Sequence, residues 1–204
     1  FSRPRRFGKS FAAKMLAAYY SRGADSRELF EDLEIAGMKD AQFEENLNRH
    51  DVLFFDMTSF ISMADSINDT IRDLQSDIIH ELKEIFPNCI NENIKSLFKA
   101  LMQVHAKTGR KFFIIIDEWD ALFREAQENE ELQKEYIQLL RSMFKSSQTS
   151  QVIIGAYMTG ILPIKKYGTQ SALTDFKEYT MLEPGVLTSF IGFTDEEVRN
   201  LCAE

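Results

Sequence analysis

Gly8-Lys9-Ser10 runs directly into a helical pattern, and this junction constrains the fold more than any other feature of the chain. A glycine lets the backbone approach a phosphate, the lysine after it reaches terminal phosphate oxygens, and a serine hydroxyl can ligate a divalent cation. The helix that follows adds N–H groups without intrahelical partners and the positive end of its dipole. A loop of this kind hangs from a buried strand, so it calls for an α/β sheet. Only Phe1 and Ser2 stand where that strand belongs, so the chain is expected to be a fragment lacking most of its first strand. In the pattern G-x-x-x-x-G-K-[ST] the first glycine falls at Arg3. The same segment therefore also reads as a basic turn ahead of a helix, with Arg3, Arg5, Arg6 and Lys9 merely solvated.

The second informative stretch is Lys111 to Asp120, in which five bulky apolar residues, Phe112 to Ile116, are closed by Asp117 and Glu118. A run apolar at every position is the mark of a strand covered on both faces. Carboxylates are costly to bury alone, so the acids are expected at the strand's carboxyl end, where open α/β sheets bind ligands. The first acid, Asp117, suits an Mg²⁺ held through water. The second, Glu118, suits orienting or deprotonating an attacking water. A strand that simply ends in acidic loop residues is the competing reading, and it weakens once Gly8-Lys9-Ser10 lies upstream.

Between and beyond these stretches the pattern alternates. Val52 to Thr58 predicts a second buried strand, whose Asp56 either faces ligand or caps the following turn. Ile67 to Ile85 and Asn91 to Lys107 predict amphipathic helices, the first stopped before Pro87, with His80 solvated or in the core. Glu130 to Lys145 predicts another, and Gln151 to Gly160 a third strand, giving repeated strand–helix–strand units. Thr159 either contacts the attacking water or a terminal phosphate, or belongs to a plain turn with Gly160. Short helices are expected over Ser26 to Ile35, with Leu29, Phe30 and Leu33 on the apolar side, and over Asp40 to Arg49. A polar loop carries Lys165, Lys166 and Gly168, and Asp175 to Leu182 predicts an edge strand. Thr194 with Glu197 forms a capping box opening a last helix.

The balance of 24 basic and 32 acidic residues, net charge -8, argues against a surface built wholly for nucleic acid. The cluster Arg3, Arg5, Arg6, Lys9 and Lys14 fits a small anion better than a long polyanion. Cys89 and Cys202 are far apart, with no metal-ligand spacing, which points to a reducing, cytoplasmic setting. No apolar run approaches the roughly 20 residues that span a bilayer, so no membrane partner is expected.

Taken together, Arg3-Pro4-Arg5-Arg6-Phe7-Gly8-Lys9-Ser10, Leu29-Phe30 to Leu33-Glu34-Ile35, Ile116-Asp117-Glu118-Trp119-Asp120, Thr159-Gly160-Ile161-Leu162 and Phe190 to Val198 resemble the AAA-ATPase-like family across nearly the whole chain. The resemblance implies a P-loop NTPase fold of the additional-strand type, a mainly parallel sheet sandwiched by helices, spanning residues 1–204 and truncated at both ends. It implies ATP and Mg²⁺ as cofactors. Arg5, Arg6, Phe7, Gly8, Lys9, Ser10 and Phe11 then hold the nucleotide, Ser10 and Asp117 the metal, and Glu118, Lys9 and Thr159 the chemistry. Relatives are often fused to a C-terminal nuclease-like domain, which becomes an expected partner; self-association and nucleic acid stay open. Pro163 stands where relatives commonly carry an arginine, which leaves two expectations: a Mg²⁺-dependent ATPase module coupled to a further domain, or a nucleotide-gated switch without turnover.

Overall fold

The apolar run Phe112–Ile116 lies in the middle of a parallel sheet because its alternate side chains are covered from opposite sides. In the computed structural model, which describes residues 1–37, 42–163, 173, 176–180, 182–183, 185–187 and 195–203, three strands pair in the order β1 (Asp51–Asp56), β2 (Phe112–Asp117), β3 (Ile153–Met158). Phe55 pairs with Ile116, and Ile116 with Met158, so the three strands end at one level. Phe112, Ile114 and Ile116 join the main core. Phe113 points the other way and stacks on Tyr20 at 4.4 Å. Each fully buried isoleucine contributes about 1.5–3 kcal/mol by removal from water.

Helix α1 (Lys9–Tyr20) packs against β1 and β2 on that second face. On the other face lie α5 (Thr70–Ile85), α6 (Leu97–Thr108) and α8 (Glu130–Phe144). Their stripes, Ile71-Leu74-Ile78-Leu82, Leu97-Leu101-Val104 and Leu132-Tyr136-Leu139-Met143, recur at helical spacing and are buried. Gly109, at φ 71, ends α6 in the left-handed conformation that suits glycine, and its N–H donates to His105 O.

Several boundaries differ from the sequence reading for local reasons. β1 stops at Asp56 because that carboxylate caps α4 (Met57–Met63), accepting from the Ser59 N–H at 3.1 Å. The expected helix from Asn91 begins only at Leu97, after Ser96. Short helices α2 (Glu34–Gly37), α3 (Gln42–Asn46), α7 (Ala121–Glu125) and α9 (Thr149–Val152) complete the chain up to β3, and α10 (Asp195–Ala203) follows later. Of the residues expected on the apolar side of the Ser26 segment only Phe30 is buried; Leu29 and Leu33 are exposed. Phe30 joins Tyr19, Phe43 and Leu47 in a satellite cluster over α1.

Ser2 bridges in parallel to Gly160, just beyond β3, and its N–H donates to Tyr179 O at 2.9 Å. The segment leading into the basic loop therefore lies on the side of β3 away from β2. Residues 176–180 take no strand conformation, and Asp175, where the edge strand was expected to begin, lies outside the described residues, as do Lys165, Lys166, Gly168 and Thr194. Glu197 falls within α10. Among the described residues no helix is long and apolar enough to cross a membrane.

Candidate functional site

The loop from Arg3 to Gly8 turns sharply enough to need two residues in the left-handed region, Arg6 at φ 69 and Gly8 at φ 73. Glycine accepts this without strain, whereas Arg6 does so at a cost. Gly8 is the residue before α1 and offers no side-chain cap, so the first N–H groups of the helix face the loop. Lys9 does not extend into solvent. It is only 5 % exposed, and its ammonium donates to Pro4 O across the loop at 3.0 Å. Arg3 is also buried, with its guanidinium 5.2 Å from the centre of the Phe1 ring. The alternative of a merely solvated basic turn is thus corrected for Arg3 and Lys9. Arg5 and Arg6 are exposed. Phe7 and Ser10 are half-buried. Phe11 is 68 % exposed, because the buried line of α1 runs through Ala13 and Tyr19.

The acids stand at the same edge. Asp117 ends β2, and alternation along the strand sets it on the α1 side together with Phe113 and Ile115. Its Oδ1 accepts from the Thr159 hydroxyl and from the Glu118 N–H at 3.1 Å. Glu118 itself adopts φ 53, which redirects the chain immediately after the strand. Thr159 is fully buried, and its N–H donates to Ile116 O while its carbonyl accepts from Trp119 N. Asp120, also fully buried, accepts from Leu162 N at 3.0 Å and from Ile161 N, so it ties the segment after β3 to the segment after β2. The loop joins the same network, for Arg3 N donates to Gly160 O at 3.1 Å, next to Thr159. A continuous path of bonds thus runs from the basic loop through Gly160 and Thr159 to Asp117.

Two tyrosines register the local charge. Burial, with the Asp117 carboxylate as the lesser cause, pushes the Tyr157 hydroxyl up to about 12. Burial and then Asp120 raise Tyr136 as well, and its hydroxyl has no hydrogen-bond partner among the described residues. Both stay protonated near neutrality and add no charge. A hollow of about 1000 Å³ lies elsewhere, alongside β3 between Met15, Tyr19, Ile154, Ala156 and Tyr157. Its mainly apolar wall does not suit a triphosphate, so the charged edge of the sheet is the better candidate. No cluster of three or more metal-ligating side chains occurs among the described residues. A cation here would rely on one carboxylate, a hydroxyl and oxygens of a ligand, the arrangement typical of Mg²⁺ with phosphates.

Sequence reasoning missed Arg124 at this site. Its Nη2 donates to Glu118 Oε2 at 2.5 Å, and its Nε lies 3.2 Å from Asp120 Oδ2. Only a basic residue one turn after Asp120 hinted at it. A model of the family described as AAA-ATPase_like, Predicted AAA-ATPase, matches residues 1–169. No curated protein and no solved structure matches the sequence.

Proposed function

The chain belongs to this predicted AAA-ATPase family, and from that membership we propose that it is a Mg²⁺-dependent ATPase module acting at the carboxyl edge of its sheet. The observation that carries the reading is the bonded path linking Arg3 to Gly160, Thr159 and Asp117, which keeps the Gly8-Lys9-Ser10 loop and the acid pair in one neighbourhood. Family membership makes nucleotide binding plausible; metal, hydrolysis and residue roles are our assignment.

In this assignment the backbone of Arg5 to Ser10 wraps the phosphates, with the α1 N-terminus facing them. Lys9 exchanges its bond to Pro4 O for terminal phosphate oxygens, a fitting role for a buried ammonium satisfied by a neutral carbonyl. Exposed Arg5, Arg6 and Phe11 flank the entrance and hold the rest of the nucleotide. Ser10 and Asp117 would hold Mg²⁺, which neutralises phosphate charge when bound. Thr159 fixes the Asp117 carboxylate through its hydroxyl. Glu118 takes a proton from water as the water oxygen bonds to the terminal phosphorus and the bond to the β-phosphate oxygen breaks. The Ser2–Gly160 bridge sets β3 between the loop's segment and the acid-bearing β2, an order that supports the additional-strand type.

Nucleotide state would then be relayed to a further domain, of the nuclease-like kind or through self-association. A switch without turnover is the second reading, and the Glu118–Arg124 pair with Pro163 after the Thr-Gly turn favours it.

Fluorescent-nucleotide titration and steady-state phosphate release test the assignment. Lys9→Ala should lose ATP binding, whereas Glu118→Gln should keep it and lose turnover by roughly two orders of magnitude or more. Equal affinity in wild type and Lys9→Ala would refute the site. Wild-type protein that binds ATP but never releases phosphate would select the switch.

A further inference from the structure

Arg124 engages two acids that are held very differently. It lies in α7, and its Nη2 bonds Glu118 Oε2 while Nε approaches Asp120. Asp120 is fully buried and also accepts from the Ile161 and Leu162 N–H groups, so its departure would strand a charge. Glu118 is different. Its side chain is 22 % exposed, and its left-handed φ of 53 is a conformation that a non-glycine residue holds only when its surroundings fix it. Among the described residues Arg124 Nε is buried without a well-formed hydrogen bond, so the directed bond goes to Glu118 and the attraction to Asp120 is chiefly one of charge.

We infer that Arg124 is a latch on Glu118: it holds this carboxylate in the nucleotide-free protein, and nucleotide binding must open the ion pair before water can be activated. The inference rests on the proposed ATPase reading. A carboxylate oxygen already accepting from a guanidinium is turned to that partner and is not placed to accept from a water. Opening strands no buried charge, because Arg124 stays with Asp120. Glu118 and Arg124 therefore form a two-state element that the phosphate charge arriving at the sheet edge can bias. Arg124 acts here through Glu118, as a positioning residue.

Trp119, the chain's one tryptophan, is buried between the two acids and reports on their segment. Arg124→Lys retains a charge for Asp120 but lacks the planar fork that spans both acids. It should raise kcat for Mg-ATP about fivefold, the scale of one partly exposed ion pair, with KM within about twofold. Trp119 emission of nucleotide-free Arg124→Lys should match that of nucleotide-saturated wild type. Glu118→Gln breaks the charge pair from the other side, leaves Asp120 anchored, and should show the same emission shift, which keeps the test available if Arg124→Lys fails to fold. A fall in kcat in Arg124→Lys overturns the latch, as does unchanged emission in all forms while ATP binds. Absence of turnover in both wild type and Arg124→Lys, with ATP bound, also overturns it. Failure of fluorescent ATP to bind at all sinks the reading of the site instead.

Discussion

Gly160 has no room for a methyl group. A Cβ built there would sit 2.6 Å from Trp119 Cδ1 and Nε1 and 2.7 Å from Asp120 Oδ1. Neither neighbour can yield easily, because Trp119 is packed against Phe123 and Asp120 holds two backbone N–H groups after β3. Gly160→Ala should therefore destabilise the protein toward the upper end of the 1–3 kcal/mol typical of overpacking, read as a lower urea midpoint at unchanged slope. It should also weaken nucleotide binding, since Gly160 O accepts from Arg3 at the start of the loop. A variant as stable as wild type would show slack around Trp119 and remove Gly160 from the account of the site. Among the described residues, two of the four non-glycine residues with positive φ, Arg6 and Glu118, lie in the loop and at the acid pair. Strain collects where ligands and chemistry are expected, and this fits a preorganised site.

At the scale of elements, the end of α1 depends on a residue far along the chain. Asn48, itself at φ 56, donates from Nδ2 to Ala18 O at 2.9 Å and to Ser21 O at 3.1 Å, and accepts from Ser26 N at 3.3 Å. Asn48→Ala leaves α1 carbonyls without this donor and places a Cβ in left-handed backbone, so about 2–3 kcal/mol should be lost. Asn48→Gly should cost less, because glycine removes the bonds but not the backbone preference; chemical denaturation of the two variants separates these effects, and equal losses would show that the backbone conformation is not a factor. No local pattern announces such a link, and the same limit explains what else the sequence concealed. The β2 run and the stripes of α5 and α8 were legible because burial imposes a period on residues adjacent in the chain. Short α4 and α7 were not, since a few residues carry too little periodicity. Lys9, Asp117 and Glu118 were nameable because their chemistry follows from type and strand-end position. Arg124 was not, because its reach back to Glu118 depends on the turn created by a left-handed residue. The placement of Ser2 beyond β3, away from β2, was likewise a matter of pairing that composition cannot encode.

For the whole molecule the decisive contrast is between a net charge of -8 and a loop edge that presents Arg5 and Arg6. A long polyanion laid over the surface would meet repulsion beyond that edge, whereas a compact triphosphate confined to it would not. Folding and binding are linked, because a ligand that needs the assembled loop, α1 and β2 binds only the native state. At a free Mg-ATP concentration 100 times its dissociation constant, the gain is about 2.7 kcal/mol. For a chain of this size that is a rise in Tm of roughly 5–10 °C. ATP with chelator should give a smaller rise, because Asp117 then faces phosphate without an intervening cation. Lys9→Ala should give none. Duplex DNA should leave Tm unmoved at physiological salt, and a DNA-induced rise that vanishes on replacing Arg5 and Arg6 would mean that the basic loop serves nucleic acid in place of a nucleotide.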